Sequence, residues 1–128
     1  MTMMQKFKIL HLENNPVFIE VFENFIHAKL DVDYESVLNT QDAYAWLEKQ
    51  KPDLLIVDLM LYNDYDTIPG EDFIKEVYKK YPGLKMMALT GWKDNGPRER
   101  IGKYVVHYET KAFRPSKFEK QIADILQR

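Results

Sequence analysis

Residues 54–58, Leu54-Leu55-Ile56-Val57-Asp58, constrain this chain more than any other segment: four apolar residues in succession, then an acid. A strand with one wet face alternates apolar and polar side chains, whereas a parallel strand covered on both faces reads as a continuous apolar run. The segment therefore predicts a strand deep in a parallel sheet. Its final aspartate would emerge at the carboxyl end, where open α/β sheets carry their ligand sites.

The flanking sequence supports that architecture. Ile9-Leu10-His11-Leu12 reads as another short buried strand, and Glu13-Asn14-Asn15-Pro16 follows it. Asn15 suits a helix N-cap and Pro16 the first helical position. Val17, Phe18, Val21, Phe22 and Phe25 then recur at helical spacing. A weaker strand is expected over Val32–Val37, and a helix capped by Asn39 or Thr40 carries Ala43, Trp46 and Leu47. After the central strand, Pro69-Gly70 leads into a helix with Phe73, Ile74, Val77 and Tyr78. Pro82-Gly83 stops that helix, and Leu84–Thr90 forms the next strand. Lys93–Pro97 is rich in turn residues and precedes a short polar helix with Ile101 as its apolar anchor. The last strand is expected over Tyr104–Tyr108, and Pro115-Ser116 opens a final helix with Phe118, Ile122, Ile125 and Leu126. Five strands alternating with five helices argue for an α/β doubly wound sheet with helices on both faces.

Composition narrows the possible roles. The chain has 128 residues, in the usual range for one domain, and we expect a single domain over 1–128. It has no cysteine, which removes disulfides and thiolate metal sites and suits a cytoplasmic location. No apolar run is long enough to span a bilayer, so no membrane partner is expected. A net charge of −2 without a basic stripe gives no case for nucleic-acid binding. His11, His27 and His107 lack ligand spacing and read as packing or surface residues.

The strand ends hold Glu13 and Asn14 after the first strand, Asp58 after the third, Thr90 after the fourth and Lys111 after the fifth. Carboxylates can hold a hard divalent cation through oxygen. A hydroxyl and an ammonium can bind phosphoryl oxygens while a metal offsets their charge.

In order and spacing these segments resemble the receiver domain of response regulators. Leu12–Pro16 resembles that family's acidic-pair turn, and Pro52–Asp58 its phosphoacceptor strand. Met87-Ala88-Leu89-Thr90-Gly91 resembles its hydroxyl-bearing strand end, and Lys111-Ala112-Phe113 its lysine turn. The resemblance implies a stand-alone, flavodoxin-like receiver, strand order 2-1-3-4-5, with Asp58 taking a phosphoryl group from the phosphohistidine of a kinase or phosphotransfer protein. Mg²⁺ would be held by Glu13, Asn14, Asp58 and the Met60 carbonyl. Thr90 and Lys111 would contact the phosphoryl group, and Tyr108 would act as the aromatic switch. Without phosphate, Tyr108 is expected to face solvent. The chain would not be an enzyme in the turnover sense, although it would assist its own phosphorylation and dephosphorylation. A downstream protein, or a second copy in a homodimer, would meet the face of the fourth helix, fifth strand and fifth helix, with Tyr104, Tyr108 and Lys120.

Three departures bear on this reading. The family's second acid is Asn14 here, which leaves Glu13 and Asp58 and predicts weaker Mg²⁺ binding. The family's proline after the lysine is Ala112, so the Lys111–Ala112 peptide is expected to be trans. The loop after Asp58, with Asn63, Asp64 and Asp66, is long, and its two aspartates could return charge to the metal. Asn14 and Ala112 favour an alternative, a phosphorylation-deficient pseudo-receiver acting as a protein-binding module. Asp58, Thr90 and Lys111 together oppose it. A small metal-dependent phosphatase would need a further acid or base, and the sequence offers no clear candidate.

Overall fold

The run 54–58 hides an alternation that the sheet restores. In the computed structural model, which describes residues 6–60, 70–91 and 96–128, its side chains divide by parity. Leu55 and Val57 join Leu10, Leu12 and Ala88 in one cluster, while Leu54 and Ile56 join Ile9, Met87 and Leu89 in another. Each sheet face thus has its own core, and the apolar run contributes to both.

The elements follow in strict alternation: β1 (Phe7–Leu12), α1 (Pro16–Lys29), β2 (Val32–Val37), α2 (Thr40–Lys49) and β3 (Leu54–Asp58), then α3 (Gly70–Lys80), β4 (Met86–Thr90), α4 (Gly96–Ile101), β5 (His107–Thr110) and α5 (Pro115–Gln127). All neighbouring strands pair in parallel, in the order β2-β1-β3-β4-β5. Phe22 and Ile26 of α1 and Phe118, Ile122 and Ile125 of α5 cover one face. Ala43 and Leu47 of α2, Phe73, Ile74 and Val77 of α3 and Ile101 of α4 cover the other.

Local chemistry fixes the helix starts as anticipated. Asn15 Oδ1 accepts from the N–H groups of Val17 and Phe18 at 3.0 and 3.3 Å. Asn39, rather than Thr40, caps α2, accepting from Asp42 N–H at 2.8 Å. Pro115 occupies the first turn of α5.

The last strand lies further along than the apolar pattern suggested. Residues Gly102–Tyr104 extend α4 as a 3₁₀ turn, and β5 begins only at His107. Tyr104 and Val105 pack against the α2–α3–α4 core instead of joining the ladder, and the Tyr104 ring meets Tyr78 edge-on at 5.1 Å. The ladder pairs Met87 with His107 through Thr90 with Thr110, and the Lys111 N–H donates to the Thr90 carbonyl at 2.8 Å. Lys111 is therefore held directly beside the end of β4. Ile101 is not the sole anchor of α4, because Pro97 is buried as well. There is no cis peptide among the described residues, so Lys111–Ala112 is trans as expected. Asn63, Asp64, Asp66, Pro69 and the turn residues 93–95 lie outside the described residues.

Candidate functional site

Three strand ends bring the predicted groups together. Asp58 closes β3 and is buried, Glu13 directly follows β1 and is buried, and Lys111 directly follows β5. The Lys111 ammonium donates to Glu13 Oε1 at 2.8 Å and lies 3.5 Å from Asp58 Oδ2. Asp58 Oδ1 accepts from the Met60 N–H at 3.0 Å. Thr90 is buried at the end of β4, next to β3 in the sheet. Asn14 is half-buried in the β1–α1 turn beside Glu13.

Burial sets the electrostatics. Burial first, then the hydrogen bond and charge of adjacent Asp58, pushes Glu13 up to about 8, and Lys111 only partly opposes this. Glu13 Oε2 is buried without a donor among the described residues. A buried carboxylate oxygen with no donor is costly, so that position favours either a proton or a cation.

These residues fit a hard divalent metal in kind. Glu13 and Asp58, with the Asn14 amide oxygen and the Met60 carbonyl that the resemblance adds, would make an all-oxygen set, the type Mg²⁺ prefers. The carboxylate count is low, and no group of three or more acidic, histidine or cysteine side chains suited to a metal occurs among the described residues.

Tyr108 is not turned to solvent. Its ring is half-buried against the α2–α3–α4 core, its hydroxyl oxygen is out of contact with water, and the Arg98 guanidinium lies 5.8 Å from the ring centroid. The expectation overlooked the packing surface that α4 provides beside this edge strand.

Three features escaped the sequence reading. Gly70 opens α3 so close to the end of β3 that a Cβ there would lie 2.6 Å from the Asp58 carbonyl oxygen and 2.8 Å from Leu59 Cα. The Pro69-Gly70 pair signalled a helix start but not this approach. His11 is a packing residue, one of the two roles read for it, but its partner was missed: it is fully buried in β1, where Nδ1 shares a 2.6 Å hydrogen bond with the Tyr34 hydroxyl. Desolvation, then the Lys111 charge, lowers its pKa to about 3, so it stays neutral. The signal was available, since a histidine in a buried strand must find a partner. The third is Phe18, whose ring centroid lies 4.3 Å from the Lys111 ammonium.

Comparison with known proteins agrees with this geometry. The profile of the response regulator receiver domain matches residues 9–123. The structure is similar to a CheY-like receiver domain protein from Methanospirillum hungatei, with TM-score 0.83, 16% identity, and coverage of 96% of this chain and 95% of that one. It is similar to the signal receiver domain of an HD domain-containing protein from Pseudomonas fluorescens, with TM-score 0.86, 16% identity and coverage of 99% and 91%. A putative response regulator from Chloroflexus aurantiacus gives TM-score 0.85, 20% identity and coverage of 97% and 100%. No curated protein gives a significant match. The fold is the flavodoxin-like doubly wound sheet, as expected. The chain belongs to the response regulator receiver domain family, the receiver of two-component signalling.

Proposed function

We propose that the chain accepts a phosphoryl group on Asp58 from a phosphohistidine of a histidine kinase or phosphotransfer protein, and signals by protein contact. A carboxylate oxygen of Asp58 would form the new P–O bond while the P–N bond breaks, and the departing imidazole nitrogen would take a proton. The observation that carries this reading is the convergence of Lys111 on Asp58 and Glu13. An ammonium so placed can turn from the carboxylates to the oxygens of an incoming phosphoryl group, where electrostatic stabilisation dominates catalysis. The buried Thr90 at the neighbouring strand end supplies a hydroxyl for the same group. Glu13, Asn14, Asp58 and the Met60 carbonyl would hold Mg²⁺, which when bound would neutralise the charge of the transferring group. The chain would promote its own phosphorylation and dephosphorylation without turning over a separate substrate.

Signalling would pass through the α4–β5–α5 face. Tyr108 of β5 is half-buried and Lys120 of α5 is exposed, whereas the Tyr104 ring turns to Tyr78 of α3. A downstream protein or a second copy would bind there. Among the described residues no helix is long and apolar enough to cross a membrane.

The test is intact mass after incubation with Mg²⁺ and a small phosphodonor. One added phosphoryl group, absent in Asp58→Asn, is expected. A second reading, a pseudo-receiver that binds a partner without phosphorylation, draws on the low carboxylate count and the raised pKa of Glu13. An unchanged mass at saturating Mg²⁺ would establish it over the first.

A further inference from the structure

Lysine is a poor positioning device by itself. Its ammonium rides on a flexible four-carbon stem and is strongly hydrated, so it needs a fixed surround to hold one place. At this site two carboxylates restrain Lys111, at 2.8 and 3.5 Å, and its side chain keeps 24% exposure. The ammonium also lies over an aromatic face, the ring of Phe18. We propose that Phe18 is a positioning residue, whose ring carries the Lys111 ammonium and keeps it turned onto Glu13 and Asp58; this rests on the phosphoacceptor reading and deepens it.

The contact is close. The ammonium lies 4.3 Å from the Phe18 ring centroid, well inside the range of about 6 Å over which a cation is drawn to a ring face. The same nitrogen is 2.8 Å from Glu13 Oε1 and 3.5 Å from Asp58 Oδ2. Ring and carboxylates thus both bear on its position. The quadrupole of the ring attracts the cation without forming a bond that phosphoryl transfer would have to break. As charge moves from Asp58 to the phosphoryl oxygens, the ammonium can turn toward them while keeping its support.

Phe18 is itself immobilised. Its N–H is held by the Asn15 cap, so the turn that supplies Glu13 also sets the third residue of α1. Its ring packs against Phe22 at 5.8 Å and meets His11 edge-on at 6.2 Å. His11 is pinned by Tyr34. A chain of rigid groups therefore runs from β2 through β1 to the lysine. It explains why an imidazole is buried here: a neutral, hydrogen-bonded ring buttresses Phe18 without bringing a second positive charge to Lys111.

The test compares Phe18→Leu, which keeps apolar bulk, with Phe18→Trp, which keeps an aromatic face. Each full-length variant is first shown by circular dichroism and urea unfolding to be folded. The maximal rate of phosphorylation by phosphoramidate should fall about three- to tenfold in Phe18→Leu, with little change in donor KM, and recover in Phe18→Trp. Independently of activity, NMR of the Lys111 ε-methylene protons should show a ring-current shift in the wild type and Phe18→Trp that is lost in Phe18→Leu. A Phe18→Leu variant phosphorylated as fast as the wild type, or a wild-type Lys111 without the shift, would overturn the proposal. A wild type that takes no phosphoryl group would overturn the phosphoacceptor reading and this proposal with it. That failure shows before any variant is made, so the two are distinguishable.

Discussion

Two glutamates in this domain each pair with a cation, and the pairings move them in opposite directions. Glu71, in the first turn of α3, is held by Arg100 of α4 through hydrogen bonds of 2.7 and 3.0 Å. Arg100 is exposed and the Glu71 side chain keeps 24% exposure, and the guanidinium keeps the Glu71 carboxyl below its ordinary range. Glu13 has a comparably short contact with Lys111, yet burial and Asp58 drive it up. In the more open pair the cation decides, because its hydrogen bond and charge together outweigh desolvation. In the dry pair desolvation and a neighbouring acid outweigh the same kind of partner. An ion pair that clamps two helices and one that leaves an acid wanting a proton or a metal thus differ mainly in access to water.

The two regions meet at Gly70, which touches the end of β3 and directly precedes Glu71. Gly70→Ala should have the largest effect, destabilising the domain by about 3 kcal/mol, because its Cβ would strike backbone that cannot swing aside. Urea unfolding measures this; an unchanged midpoint would mean that α3 can shift freely and that the regions are not joined there. Asn14→Asp should come next. A third carboxylate should tighten Mg²⁺ binding about tenfold and lower metal-free stability, both from added negative charge. Calorimetric titration would check it, and equal affinity would mean that Asn14 does not face the metal.

The pH dependence sharpens the contrast further. Because the folded pKa of Glu13 lies above its unfolded value, its contribution to stability is fully present below about pH 4 and is lost as pH rises to about 8. Metal binding must displace that proton, so Mg²⁺ affinity should increase over the same interval. The buried neutral His11 acts in the opposite sense, since its lowered pKa means stability lost as pH falls below about 6.5. Comparing the wild type with Glu13→Gln cancels the histidine term: the wild type should lose stability relative to the variant as pH rises. Glu71 has a depressed folded pKa, so its contribution is present above about pH 4 and lost as pH falls through the folded value. The smallest effect is expected for Glu71→Gln, under about 1 kcal/mol, as for exposed pairs. Faster hydrogen exchange in α4 would be its clearest sign.

What the sequence disclosed was mostly local or periodic. The run 54–58, the Asn15-Pro16 start and the order of acid, hydroxyl and lysine at successive strand ends each have a signature within a few residues. What it concealed depends on contacts between distant segments. Tyr104-Val105-Val106 has the composition of a strand, but α3 offers Tyr104 a better surface, and the true strand His107–Thr110 is a half-buried edge with a more polar face. The solvent-facing Tyr108 failed for the same reason. Phe18 sits at a plain core position in the helical pattern, and nothing near it in sequence announces Lys111. The close approach at Gly70 likewise appears only when α3 is placed against β3.

Peptide mapping of the protein after treatment with phosphoramidate and saturating Mg²⁺ tests the phosphoacceptor reading most directly, because the P–N bond of that donor stands in for phosphohistidine. We expect a single acid-stable, base-labile acyl phosphate on the peptide containing Asp58, and none on the corresponding peptide of Asp58→Asn. An unmodified Asp58 peptide at saturating metal, or a phosphoryl group mapped to another residue, would contradict it.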